Sequence, residues 1–113
     1  VRPITDPAWG ESNFQSYWVE VLPGRATDRD ALLETLAVAD ISARRGIMAA
    51  HRQPAYRDHD NGNIPLPITQ RLTDNTLILP LFHQMTEAEQ GRVIDAIREA
   101  MAGRRARRNR GAA

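Results

Sequence analysis

The 113-residue sequence contains no cysteine and no lysine, and each absence excludes a class of chemistry. Without cysteine the chain can form no disulfide, and it offers neither a thiolate nucleophile nor a thiolate metal ligand. This composition fits a reducing compartment, and we expect a cytoplasmic protein. Without lysine no side chain can form a Schiff base with a carbonyl cofactor or substrate. All 15 basic side chains are therefore guanidinium groups.

Long apolar runs are also missing. A membrane-spanning helix needs roughly 18 or more consecutive apolar residues, and no stretch of the chain comes near that length. The sequence therefore predicts no transmembrane helix and no membrane partner. Val1 opens no positively charged signal segment and no initiator methionine precedes it, so we interpret the chain as a fragment or a processed product. Its length suits one domain with one modest core.

Acidic side chains are absent from residues 104–113, where five arginines lie. The formal net charge of +1 therefore combines a mildly acidic body with a basic tail. Such a tail would bind nucleic acid or an acidic surface electrostatically, but it lacks the interleaved aromatic side chains on which bases stack. We predict a disordered chain end and no nucleic-acid partner.

Two segments have the composition of β-strands. Ser16–Leu22 is rich in aromatic and β-branched residues, and Thr76–Leu79 is a second apolar run, which Pro80 ends. We expect these two strands to be neighbours in one sheet. A brief third strand is predicted near Gly46–Met48. Residues 1–15 are rich in turn residues and are predicted to be an irregular lead-in or linker.

Three helices are predicted from apolar spacing and capping residues. The first covers about Asp28–Ala39, and the second covers Pro67–Asn75, with its proline in the first turn. The third, Thr86–Met101, begins with the S/T-x-x-E pattern of a capping box. Gln53–Pro65 is dense in proline, asparagine, aspartate and glycine, and is predicted to be a long loop.

This order of elements predicts a two-layer α+β domain, in which a small, mostly antiparallel sheet carries both long helices on one face. We divide the chain into a lead-in at residues 1–15, one folded domain at residues 16–103 and a disordered basic tail at residues 104–113.

One stretch stands out as a candidate site. The three histidines lack metal-ligand spacing, and the acidic run at residues 58–62 lacks the glycine and glutamate of a calcium loop, so no metal site is predicted. His51 lies within RRGIMAAHRQPAY, residues 44–56. Two alternatives remain for this stretch: one wall of an active site, or a strand and loop in which His51 bonds only to backbone. The residues alone favour the second, because a lone histidine is a poor marker of a site.

Three segments taken together resemble one family. SYWVEVL, RDALLETLAVADISARRGIMAAHRQPAY and LPITQRLTDNTLILPLFHQMTEAEQGRVIDAI are similar, in order and spacing, to the C-terminal part of the DegT/DnrJ/StrS sugar-nucleotide aminotransferases. In that group an Arg-Asp pair precedes a leucine-rich helix. A Gly-Ile segment with paired arginines, then His-x-x-Pro-x-Tyr, Leu-Pro-Leu and Met-Thr-x-x-Glu follow. The similarity covers roughly residues 16–101, and Asp40 stands where the group has glycine.

The resemblance implies a fold-type-I enzyme that uses pyridoxal 5'-phosphate to move an amino group, usually from glutamate, to a keto-sugar carried on a nucleoside diphosphate. It also implies a homodimer with active sites near the subunit interface. The lysine that holds the cofactor belongs to a large N-terminal domain, so this lysine-free chain would be the small C-terminal domain and not catalytic by itself. The resemblance implies that His51 lies on the substrate side of the cleft. Arg44 and Arg45 are nearby in the sequence, and guanidinium groups suit diphosphate oxygens.

A second hypothesis comes from a different class. The chain would be a stand-alone, non-catalytic binding or regulatory module with the same small-domain fold, because a fold alone does not establish catalysis. The two hypotheses differ in the reading frame that they require. An upstream domain that contains a lysine after a strand would support the enzyme.

Overall fold

The computed structural model describes residues 1–56 and 65–103. The predicted tail at 104–113 and the acidic run at 58–62 lie outside these residues. The described chain contains four strands, three α-helices and two single-turn 3₁₀ helices, and no helix within it is both long and apolar enough to cross a bilayer. In chain order the elements are β1 (Arg2–Pro3), β2 (Tyr17–Glu20), α1 (Arg29–Val38), β3 (Arg44–Arg45), 3₁₀ turns at Ala50–Arg52 and Pro54–Tyr56, α2 (Pro67–Asn75), β4 (Thr76–Leu79) and α3 (Glu87–Met101).

The four strands form one antiparallel sheet in the order β1-β2-β4-β3. Strands β2 and β4 pair over their whole length, with Val19 opposite Leu77 and Glu20 opposite Thr76. The prediction that these two strands are neighbours is therefore confirmed. The chain between them carries α1, β3 and α2, so the central pairing joins residues that are distant in sequence.

Both long helices pack on one face of the sheet, as predicted for an α+β domain. Alternate residues of β2 and β4 point toward the helices, because side chains alternate between the faces of a strand. We call this face the helix side and the other the open side. The core on the helix side consists of Val19, Val21, Leu32, Leu36, Ile41, Leu77, Leu79, Val93, Ala96, Ile97 and Ala100.

Helix α1 is capped at both ends. Asp28 is the N-cap, and its side chain accepts a hydrogen bond from the first turn. At the other end Asp40 has a φ of 56°, in the left-handed region. The N–H groups of Asp40 and Ile41 donate to the carbonyls of Ala37 and Leu36 at 3.1 and 2.9 Å. This pattern is a Schellman ending, which favours glycine at the left-handed position because glycine has no Cβ.

We expect Asp40→Gly to stabilise the chain by about 0.5 kcal/mol, because relief of the left-handed strain exceeds the added entropy of the unfolded state. Urea denaturation of the 113-residue chain measures the difference. Glu34→Gly, on the exposed middle of the same helix, is the control and should destabilise by about 1 kcal/mol. A destabilised Asp40→Gly variant would contradict the strain argument.

The capping box predicted at the start of α3 is confirmed. The backbone N–H of Thr86 donates to Glu89 Oε2 at 2.8 Å, and the Glu89 N–H donates to Thr86 Oγ1 at 3.2 Å. The Thr86 hydroxyl also lies 2.8 Å from Glu89 Oε2. Hydrogen bonds from the backbone and hydroxyl of Thr86 favour the charged carboxylate and lower the pKa of Glu89 from its ordinary value of 4.5.

This lowered pKa predicts a pH dependence of stability. The Glu89 carboxylate stabilises the fold fully above about pH 4.5, and the contribution is lost as the pH falls through the lower pKa of the folded state. Glu89→Gln should therefore lose less stability than the wild type when urea unfolding is repeated below that pH. Glu87→Gln, in the same first turn but outside the box, should keep the wild-type slope. Equal slopes for Glu89→Gln and the wild type would refute the assignment.

Three local predictions need correction. The third strand lies at Arg44–Arg45 and not near Gly46–Met48, and Gly46, the residue after it, lies close against the Trp18 ring and Thr76. The predicted lead-in contains β1, whose two residues extend the sheet next to β2, and the Ile4 N–H also donates to the Trp18 carbonyl at 3.1 Å. The predicted loop from Gln53 begins with a 3₁₀ turn at Pro54–Tyr56.

Candidate functional site

The stretch from Arg44 to Tyr56 runs along the edge of β4 and then reaches the end of α2, where Arg52 pairs with Asp74. Gly46 follows β3 and lies close against the open side of the sheet. A Cβ on Gly46 would lie 2.7 Å from Thr76 Oγ1 and closer still to the Trp18 ring. Only glycine allows the backbone to approach the sheet this closely. Gly46 therefore lies against the sheet face that the long helices leave uncovered.

The two arginines of β3 point to opposite faces of the sheet. Arg45 is paired with Leu77 and shares its helix-side face. Its Nη2 atom lies 3.2 Å from Asp30 Oδ1, and Arg29 Nε donates to the same oxygen at 2.6 Å. The hydrogen bond from Arg29, reinforced by the charges of Arg29 and Arg45, lowers the pKa of Asp30. The charge of Arg45 is thus compensated by a carboxylate on α1.

Arg44 lies toward the open side, where its cross-strand neighbour is Ile78. No carboxylate in the described part of the chain pairs with it. Arg44 lines an open surface cavity of about 180 Å³, together with Ser16, Ser42 and Pro80 among others. An arginine without a carboxylate partner, beside two serines, suits a ligand that carries phosphate or hydroxyl groups.

His51 is half-buried in the 3₁₀ turn Ala50–Arg52. Its Nε2 atom is buried, and no hydrogen-bond partner for it exists in residues 1–56 or 65–103. An unpaired buried polar atom costs about 1–3 kcal/mol, so its retention calls for an explanation such as a ligand, an ion or ordered water. The hypothesis that His51 bonds only to backbone has no support at this atom.

The turn that carries His51 is fixed to α2. Arg52 Nη1 and Nη2 donate to the two carboxylate oxygens of Asp74 at 2.6 and 3.2 Å. Gln53 Nε2 donates back to the Ala49 carbonyl at 3.1 Å. The hydrogen bond from Arg52 lowers the pKa of Asp74, and the same contact raises the pKa of Arg52.

A second polar cluster lies on the open side of β2. Glu20 is only 1% exposed, and its Oε2 atom accepts hydrogen bonds from Arg2 Nε and Nη2 at 3.1 and 2.6 Å. The other oxygen, Oε1, has no hydrogen bond within the described residues, and Arg71 Nη1 of α2 lies 3.6 Å from it. This carboxylate therefore ties the edge strand β1 and helix α2 to the centre of the sheet.

The three predicted site residues do not form one hydrogen-bonded cluster. Neither a hydrogen bond nor an ion pair joins His51 to Arg44 or Arg45 in the part of the chain that the structure describes. Sequence reasoning missed Glu20, Arg52 and Asp74. A charged residue in the middle of an apolar strand was the one available signal for Glu20, and the local sequence contains no signal for a pairing 22 residues apart.

Two relationships to known proteins identify the family of this chain. The sequence profile of the DegT/DnrJ/EryC1/StrS aminotransferase family matches residues 1–98, which include the predicted lead-in. The crystal structure of the aminotransferase TlmJ from Streptoalloteichus hindustanus matches 90% of the chain with a TM-score of 0.66 and 28% sequence identity. The chain spans 25% of the length of TlmJ. Because the family profile matches residues 1–98 of the 113 residues, this chain belongs to the DegT/DnrJ/EryC1/StrS aminotransferase family.

Proposed function

We propose that the chain is the small C-terminal domain of an aminotransferase that transfers an amino group from glutamate to a keto-sugar carried on a nucleoside diphosphate. Membership of the family and the likeness to TlmJ support the transamination chemistry. The observation that carries the proposal for this site is the buried, unpaired Nε2 atom of His51. The amino sugar formed would enter the synthesis of a polysaccharide or a secondary metabolite.

Pyridoxal 5'-phosphate would supply the electron sink for this reaction. The residues of this chain do not fit that cofactor, because none of them is a lysine that could attach it covalently. A large N-terminal domain of the same polypeptide would bind it. We assign no step of its chemistry to the present residues.

The role proposed for this chain is to shape the substrate side of the cleft. His51 would exchange a hydrogen bond with a sugar hydroxyl or a phosphate oxygen through Nε2, once substrate binding displaces the groups that cover this atom, and that bond would satisfy it. Arg44 suits the diphosphate better than Arg45, because Arg45 already pairs with Asp30. A sugar nucleotide is an extended ligand, so His51 and Arg44 need not touch each other to contact different parts of it.

The proposed domain organisation keeps a small domain at residues 16–103, with a linker before it and a basic tail at 104–113. The linker assignment is revised at Arg2–Pro3, which joins the sheet of the small domain. The exposed Ile47 and Met48, at 77% and 70% exposure, follow the arginines of β3. The large domain or the second subunit of a cytoplasmic homodimer would cover these side chains.

The test is to express the complete reading frame that contains this chain, and to assay it with glutamate and a panel of keto-sugar nucleotides. We expect a polypeptide with a lysine-bearing domain, pyridoxal phosphate absorbance and turnover of at least one sugar nucleotide. The 113 residues alone should show neither stable absorbance nor turnover.

The absence of lysine in this chain leaves one alternative, a non-catalytic binding or regulatory module. A short reading frame whose product binds sugar nucleotides without turnover would establish that alternative.

A further inference from the structure

The contact between Arg52 and Asp74 is specific in geometry but exposed to solvent. Two N–H groups of one guanidinium meet two oxygens of one carboxylate, which is the forked arrangement that best fixes orientation. The two side chains are 40% and 53% exposed. Exposed ion pairs contribute little to stability, because solvent screens them and their formation orders two long side chains. The main effect of this pair is therefore to position the 3₁₀ turn Ala50–Arg52 against α2, and not to stabilise the fold.

Asp74 is part of a rigid support. It lies in the last turn of α2, next to the start of β4. Arg29 Nη1 of α1 donates to the carbonyls of Thr73 and Thr76 at 3.1 and 3.4 Å, and Thr76 Oγ1 donates to the Leu72 carbonyl at 2.5 Å. These bonds join the end of α2 to both α1 and the sheet. A side chain anchored on Asp74 is therefore anchored on the core of the domain.

Arg52, which bonds to Asp74, is the residue next to His51 in the chain. The 3₁₀ turn is only three residues long, and its two backbone bonds run from the Arg52 and Gln53 N–H groups to the Ala49 and Ala50 carbonyls at 3.1 and 3.0 Å. These local bonds shape the turn itself but do not attach it to another element. The bond from the Arg52 side chain to α2 makes that attachment. The backbone that carries the imidazole of His51, with its unpaired Nε2, then has a defined position.

We propose that the Arg52–Asp74 pair is a positioning device that holds the imidazole of His51 in its half-buried orientation. The link from this orientation to catalysis rests on the proposed function of His51. Because the hydrogen bond from Arg52 lowers the pKa of Asp74, the pair stays ionised throughout the neutral range and the device is a fixed support.

The first arm of the test uses the 113-residue chain and reads the orientation directly. Two single variants are used. Asp74→Asn weakens the two-bond contact with Arg52, and Arg52→Lys keeps the positive charge but cannot form the two-bond contact. The double variant Arg52→Asp with Asp74→Arg rebuilds the pair in reverse. Asp95→Asn disrupts a different exposed pair, between Asp95 and Arg98, and is the matched control. The readouts are the rate at which diethylpyrocarbonate modifies His51, followed by mass spectrometry, and the imidazole ¹H–¹⁵N spectrum of His51.

Both single variants should raise the modification rate of His51 several-fold and shift its imidazole signals. The reversed pair should restore both readouts toward the wild type, and Asp95→Asn should leave them unchanged. Unfolding by urea should be nearly the same for all variants, which separates positioning from loss of fold. Wild-type modification rates and spectra in both single variants would overturn the proposal.

The second arm uses the complete aminotransferase and separates this proposal from the proposed function. Asp74→Asn should lower kcat/KM for the keto-sugar nucleotide several-fold and leave the glutamate half-reaction unchanged, and the reversed pair should recover activity. If the imidazole moves in the first arm but the kinetics do not change, the positioning device stands and the substrate role of His51 is wrong. If the kinetics change while the imidazole does not move, the positioning device is wrong.

Discussion

Arg2→Ala should destabilise the 113-residue chain by about 2 kcal/mol, in the range found for hydrogen bonds to charged groups. The variant removes both hydrogen bonds to Glu20 Oε2 and leaves a carboxylate that is 1% exposed with only the Arg71 guanidinium, 3.6 Å away, as a partner. A fully buried pair would lose roughly 3–5 kcal/mol, but Arg2 is half-exposed and water can reach the site that it vacates. Urea denaturation of the variant and the wild type measures the effect.

Glu20→Gln provides the matched comparison for this prediction. Glutamine keeps the shape of the side chain and a neutral acceptor for Arg2, and the two arginines remain half-exposed to water. We therefore expect a loss below about 1 kcal/mol, because no charge is left buried without a partner. Adding Glu20→Gln to Arg2→Ala should recover roughly 1 kcal/mol, since the double variant no longer buries an unpaired charge.

The asymmetry between the two single variants is the decisive result. A loss for Glu20→Gln as large as that for Arg2→Ala would mean that the attraction between the charges dominates, and not the burial of the carboxylate. No loss for Arg2→Ala would mean that β1 detaches from the sheet at little cost. Protection of the Ile4 N–H from hydrogen exchange distinguishes these outcomes, because that group donates to the Trp18 carbonyl only while β1 is in place.

The features predicted correctly from the sequence have local physical causes. Helix α2 begins at Pro67 and ends at Asn75 as predicted, because proline suits a first turn and the short apolar run that follows favours a strand. The capping box at Thr86 follows from two residues three positions apart. The strand pair β2 and β4 was predictable because both segments are apolar and each is bounded by turn or proline signals.

The features that the sequence did not predict depend on contacts between distant residues. Strand β1 forms because Arg2 and Pro3 reach a sheet edge 16 to 18 residues away, and its proline disfavours a strand on local grounds. Strand β3 ends at Arg45, and the glycine after it is required by the Trp18 ring and Thr76, neither of which is near in sequence.

The candidate site also combines features that the local sequence predicts with features that depend on distant contacts. The family resemblance directed attention to His51, but the unpaired Nε2 atom depends on what surrounds the ring in the fold. The opposite directions of Arg44 and Arg45 follow from strand alternation once β3 is placed at those residues. The sequence prediction had placed the strand two residues later, so it could not assign the two arginines to different faces. Asp74 was seen only as a helix residue.

On the proposed function, His51→Ala in the complete protein should lower kcat/KM for the keto-sugar nucleotide tenfold or more, equivalent to about 1.4 kcal/mol of transition-state binding. The reason is that Nε2 is buried without a partner in the described chain and would be satisfied by the substrate. The melting temperature and the bound cofactor should be unchanged, and the glutamate half-reaction should be nearly unaffected. Steady-state kinetics with each substrate, together with thermal unfolding, make the comparison.

The controls for this prediction are other residues of the same chain. His83→Ala changes an exposed histidine after β4 and should leave the kinetics unchanged. Arg44→Ala should raise the KM for the sugar nucleotide, because Arg44 has no carboxylate partner among the described residues, whereas Arg45→Ala should have little effect, because Arg45 is occupied by Asp30. A His51→Ala enzyme that loses roughly 1 kcal/mol of stability but keeps wild-type kinetics would show that His51 only supports the fold. In that case the stretch from Arg44 to Tyr56 would be an ordinary loop, and the unpaired nitrogen would be satisfied by water.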